Sequence, residues 1–158
     1  AEQVQKIVSE ASQQQWLVID SRRTPEALRG HLNLPANAKY VHWRDTQPSW
    51  LTRQLSLSSS TWVTPDSASM VYEALSFAGR VGVIELRPRW RRNKLAHGIR
   101  SLHALGYVGL VDKGPLCEQN LNKVALAEHK RCAKLIMQRW FSVMLEDAGA
   151  VSTAGGAD

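Results

Sequence analysis

Residues 16–32, WLVIDSRRTPEALRGHL, set an unbroken apolar run directly against a series of polar residues, and the fold is read from that junction. Trp16, Leu17, Val18 and Ile19 do not alternate with polar side chains. Such a run suits a strand covered on both faces, which is the condition of strands in a parallel sheet. Asp20, Arg22, Glu26, Gly30 and His31 follow at short intervals from the end of the run.

Outward from this junction the chain alternates strands with helices. Val4, Ile7, Val8 and Ala11 mark one apolar face of an opening helix. Residues 39–43 read as a second strand, and Trp62 and Val63 as a short further one. Between them Pro48 argues against a long helix, while Trp50, Leu51, Leu55 and Leu57 suggest packing against the sheet. Thr64-Pro65-Asp66 is a helix start, because threonine can cap and proline is tolerated in the first turn. Met70, Val71, Ala74, Leu75 and Phe77 supply that helix's stripe, and Gly79 stops it. Residues 81–86 form the next strand, Leu95, Ile99, Leu102 and Leu105 share a face of the helix after it, and 108–112 is the last strand. Strands alternating with helices predict an α/β fold with a parallel sheet flanked by helices on both faces.

The series Asp20-x-Arg22, Glu26 and Gly30-His31 resembles the first half of a rhodanese, or sulfurtransferase, domain, whose members carry these residue types at this spacing. Leu105-Gly106-Tyr107 is similar to that family's usual helix ending. The resemblance implies a rhodanese-like sheet in which Asp20 and Arg22 pair at the strand end while Gly30 and His31 turn the chain toward the second strand. In that family these residues, with Glu26, are architecture. The resemblance also implies where chemistry would lie, in a loop after the fourth strand that presents a nucleophilic cysteine. The corresponding segment, 87–94 (RPRWRRNK), has neither cysteine nor glycine. The expectation is a pseudo-enzyme with no catalytic residue and no sulfurtransferase activity.

Cys117 follows the last strand and Cys132 falls in a later helical pattern, and each is expected to be a small buried hydrophobe. His42, His97, His103 and His129 stand without a partner at ligand spacing, so no metal site and no cofactor is implied. With 44% hydrophobic and 22% charged residues in a chain of 158, a core of ordinary size is expected. No apolar stretch is long enough to span a bilayer, and two cysteines do not make a disulfide framework.

The formal charge is +6, and five of the eight residues from 87 to 94 are basic, with Trp90 interleaved. Arg87, Arg89, Arg91, Arg92 and Lys94 form a candidate anion site, although a solvated loop reads equally well. Protein, RNA and anionic lipid would all suit such a charge run. Residues 122–147 read as one amphipathic helix of about seven turns. Trp140, Phe141 and Met144 on it are candidate partner-binding residues, being types enriched in interface cores. Residues 148–158 are small and Gly-rich and read as a flexible tail.

These readings divide the chain into a rhodanese-like domain (1–116), a C-terminal helical extension (117–147) and the tail (148–158). They predict a catalytically inactive module acting as a structural or accessory subunit of a larger intracellular assembly, with a mitochondrial one suiting the basic composition. The alternatives are a phosphate- or nucleic-acid-binding module using 87–94 and a diverged sulfurtransferase with a relocated nucleophile.

Overall fold

All three strand ladders are parallel, but the run Trp16–Ile19, read from the sequence as a strand covered on both faces, has no buried residue, and Leu17 is 41% exposed. The computed structural model describes residues 1–77, 79–84, 94–122 and 126–141. Along them run α1 (Glu2–Glu10), β1 (Trp16–Ile19), α2 (Glu26–Gly30), β2 (Ala38–Val41), α3 (Trp50–Leu57), β3 (Ser60–Val63), α4 (Ala68–Leu75), β4 (Arg80–Val83), α5 (Lys94–Ala104), β5 (Val108–Leu110) and α6 (Glu128–Trp140). Short 3-10 turns follow β2 at Trp43–Asp45 and β5 at Val111–Lys113. The protein is therefore α/β, with parallel strands flanked by helices and a further helix at the C-terminal side. It divides into two compact units, Ala1–Leu126 and Ala127–Asp158.

The strands fall into two groups. β1 pairs with β2, from Trp16 opposite Ala38 to Ile19 opposite Val41. β4 lies between β3 and β5, with Trp62 opposite Gly82 and Gly82 opposite Gly109. Among the described residues no ladder joins the two groups. The core gathers on the three-stranded group, where Val63, Val81, Val83 and Val108 are buried against Val71, Ala74 and Leu75 of α4 and Ala96, Ile99 and Leu102 of α5. The helical residues recur at intervals of three and four, which brings them onto one face of each helix. Ile7 and Val8 are the buried residues of α1.

Local chemistry accounts for several boundaries. α4 starts at Ala68, later than Thr64-Pro65-Asp66 suggests, because those residues form a turn closed by the Ser67 N–H on the Thr64 carbonyl at 3.4 Å. α5 stops before Gly106, whose φ of +74° is the left-handed conformation that glycine adopts without steric cost. Its closing bonds run from the Gly106 N–H to His103 and from the Tyr107 N–H to Leu102. The Leu105-Gly106-Tyr107 ending is thus a general helix stop, and it leaves Leu105 63% exposed instead of on the core stripe. Gly82 is required by packing, since the indole of Trp62 occupies the space a Cβ would need.

α6 carries Leu135, Ile136, Met137 and Trp140, and Phe141 follows it; all five are exposed. Residues 142–147 of the expected longer helix lie outside the described residues. Cys117 and Cys132 were both expected to be buried, and both are exposed. The reason is local: Cys117 sits in a turn after β5, and Cys132 is on the surface of α6. Among the described residues no helix is long and apolar enough to cross a membrane.

Candidate functional site

In a parallel sheet the loops leaving the carboxyl ends of the strands share one edge, and that edge is where open α/β folds bind ligands. Asp20 directly follows β1 and His42 directly follows β2, so the parallel register of the two strands brings these residues together. Asp20 Oδ2 accepts hydrogen bonds from the Tyr40 hydroxyl and from His42 Nδ1, each 2.6 Å long, and Oδ1 accepts one from the Trp43 N–H, also at 2.6 Å. The Asp20 side chain is 10% exposed and that of His42 31%. One carboxylate thus ties the end of β1 to β2 and to the following 3-10 turn.

The electrostatics follow from this geometry. Burial alone would raise the Asp20 carboxyl, but bonds from Tyr40, the Trp43 N–H and His42, with the histidine's charge, bring it below its ordinary value of 3.8. Tyr40 is pushed up to about 12 by burial first and then by its bond to Asp20 and that group's charge, against the opposing charge of Arg29. The bond from Nδ1 orients the His42 ring, and Nε2 bonds to none of the described residues.

The Asp20–Arg22 pair expected from the sequence does not form. Asp20 takes its partners from β2 and the turn beyond it, and Arg22 is an exposed side chain. The intervening turn explains this, because Ser21 and Thr24 close it between themselves. The Ser21 N–H donates to Thr24 Oγ1 at 2.9 Å and the Thr24 N–H to the Ser21 carbonyl at 2.9 Å, which carries Arg22 and Arg23 outward. Arg23 Nη1 reaches the Asp66 carbonyl oxygen at 3.2 Å and so joins the loop after β1 to the loop after β3. Glu26 and Gly30 bound α2, His31 caps it through backbone bonds, and all three are exposed. Arg29 lies over the Tyr40 ring at 5.4 Å, and Arg44 lies over Trp43 at 5.2 Å.

The opposite, amino-terminal edge holds a cavity of about 180 Å³ between α1 and the starts of β1, β3 and β4, lined among others by Trp16, Trp62, Arg80 and Cys117. Arg80 Nη1 donates there to the carbonyls of Leu116, Cys117 and Gln119 at 3.0–3.2 Å, a clip that holds the chain after β5. Three carbonyl acceptors on one nitrogen mark this arginine as structural.

Of the residues singled out in the sequence, Arg87, Arg89, Arg91 and Arg92 lie outside the described residues, and of Lys94 only the backbone, opening α5, is described. Trp140 ends α6 at 76% exposure and Phe141 follows at 41%, while Met144 lies outside the described residues. The Asp20–Tyr40–His42 cluster escaped the sequence reading because its partners are 20 and 22 residues apart. The signal that could have found it is placement, since two polar residues each ending a strand of one parallel pair must meet.

No curated protein and no solved structure matches the chain significantly. A family model does match, that of mitochondrial fission ELM1, over residues 1–140. This overturns the rhodanese resemblance, which rested on Asp20, Arg22, Glu26, Gly30 and His31, a series that any strand, turn and short helix in this order can carry. With it goes the inference drawn from the missing cysteine, because 87–94 no longer stands for a sulfurtransferase loop. The match covers nearly the whole chain, and the protein belongs to the mitochondrial fission ELM1 family.

Proposed function

We propose that the protein is an accessory module in mitochondrial fission, working by binding rather than by catalysis, with its main protein contact along α6. The observation that carries this reading is the run of exposed apolar side chains Leu135, Ile136, Met137, Trp140 and Phe141 within seven residues. Apolar side chains gathered in this way mark interaction surfaces, and tryptophan is among the residues that dominate interface energies. Lys130, Lys134 and Arg139 on the same helix would favour a partner with an acidic rim and speed its capture. The family described as mitochondrial fission ELM1 supports a setting at the mitochondrion. The apolar run on α6 is what favours binding over catalysis, while Asp20 serves as a joint between β1, β2 and the turn beyond.

The test is rescue of mitochondrial morphology in cells depleted of the protein. Wild type should restore fission, and Trp140→Ala should fail to do so while accumulating to the same level. Full rescue by Trp140→Ala together with Phe141→Ser would remove α6 from the account.

A further inference from the structure

We infer that the side-chain amide of Gln119 locks the free edge of β5, standing where a further strand would pair, and that two copies of the chain pair edge to edge through β5 once this lock is removed. The inference does not depend on the α6 contact, because every residue it uses lies in the unit Ala1–Leu126. It starts from the sheet. Among the described residues β5 pairs with β4 on one side and ends the order β3-β4-β5, so no strand satisfies the backbone groups on its other side. Such an edge is a template for a further strand unless something covers it.

Side chains cover it here. The Leu110 N–H donates to Gln119 Oε1 at 3.0 Å, and Gln119 Nε2 donates to the Leu110 carbonyl at 2.9 Å. One amide thus satisfies both backbone groups of one residue, as a paired strand would. The second Nε2 hydrogen goes to the Gly114 carbonyl at 2.8 Å, which ties the amide to its own segment of chain. Two residues before Leu110, and so on the same side of the strand, the Val108 carbonyl accepts a bond from His103 Nδ1 at 2.9 Å. These are the groups that an added strand would need.

The strand is shaped to admit the amide. A Cβ on Gly109, between the two capped residues, would meet Gln119 Oε1 at 2.6 Å and the side chain of Leu116, so the glycine lets both approach the edge. Bonds elsewhere hold the same segment of chain: the Arg80 clip on the carbonyls of Leu116, Cys117 and Gln119, and the Asn122 N–H and Nδ2 on the carbonyls of Gly106 and Leu105, each at 2.7 Å. A second copy is the occupant that the bare edge selects. A two-fold axis beside β5 sets Leu110 of one copy against the β5 edge of the other in antiparallel pairing, each edge supplying both the donor and the acceptor that its mate requires.

The experiment compares the full chain with Gln119→Ala, Gly109→Ala and Asn122→Ala by sedimentation velocity and amide hydrogen exchange, all in a Trp140→Ala background that keeps the α6 contact apart. Gln119→Ala and Gly109→Ala should each form a reversible dimer at concentrations where the chain with both residues native forms none. In dilute solution their Leu110 amide should exchange about tenfold faster or more, and it should regain protection as concentration rises. Asn122→Ala, which removes a bond of the same segment away from β5, should do neither. Both edge variants remaining single chains would overturn the inference, as would equal association in Asn122→Ala. Association that leaves the Leu110 amide unprotected would place the contact on another surface and overturn it too. If neither edge variant folds, the chain with native Gln119 decides: slow exchange at Leu110 supports the lock, and exchange as fast as that of an unbonded exposed amide overturns it.

Discussion

Replacing Asp20 by alanine should lower the melting temperature by about 10 °C. The carboxylate receives three hydrogen bonds of 2.6 Å and is 10% exposed, so its removal strands the Tyr40 hydroxyl, His42 Nδ1 and the Trp43 N–H. Each buried donor left unpaired costs about 1–3 kcal/mol. Water reaches this cluster past the partly exposed His42, which favours the lower figure and a total of about 3 kcal/mol. In a chain of this size 1 kcal/mol corresponds to about 3 °C. Asp20→Asn should cost far less, about 1 kcal/mol, because the amide oxygen still accepts from Trp43 while Tyr40 and the other His42 tautomer can accept from its nitrogen.

The pH dependence adds a sign. The folded pKa of Asp20 lies below its ordinary 3.8, so its contribution is fully present above about that pH and is lost as pH falls through the folded value. The gap in melting temperature between wild type and Asp20→Asn should therefore narrow only below about pH 4. Scanning calorimetry from neutral pH to pH 3 measures both effects. A loss of less than about 2 °C in Asp20→Ala at neutral pH would refute the reasoning.

Tyr40 should titrate near 12 by ultraviolet absorbance, identified by difference with Tyr40→Phe; its stabilisation is present below pH 10 and is lost as pH rises toward 12, and an ordinary value near 10 would show both its burial and its Asp20 bond absent. Gly82→Ala should destabilise the protein by about 1–3 kcal/mol in chemical denaturation, because the Trp62 indole fills the space of the new methyl group. Cys117 and Cys132 are exposed, so both thiols should react with a disulfide reagent in the native protein, and a thiol titrating only after unfolding would contradict this.

The parallel α/β arrangement was legible because its signals are local. The run Trp16–Ile19, the stripe through Val71, Ala74 and Leu75, and the stop at Gly106 each depend on neighbouring residues. The site was less legible because it depends on register. Asp20 was recognised as important, but its natural-looking partner two residues on was wrong, since the Ser21–Thr24 turn carries Arg22 away and β2 delivers Tyr40 and His42 instead. The break between β1 and β3 leaves no mark in composition, and so a single sheet was expected. The rhodanese resemblance failed for a related reason. Its five residues describe a strand, a turn and a short helix, a unit found in many α/β folds, and nothing in them reports the rest of the topology.

Native mass measurement of the protein purified from its native source tests the proposed role most directly. The account predicts a defined assembly with other polypeptides that dissociates in Trp140→Ala while the melting temperature of the variant stays at the wild-type value. A wild-type protein recovered only as a free single chain, or an assembly unchanged by Trp140→Ala and Phe141→Ser, would contradict it.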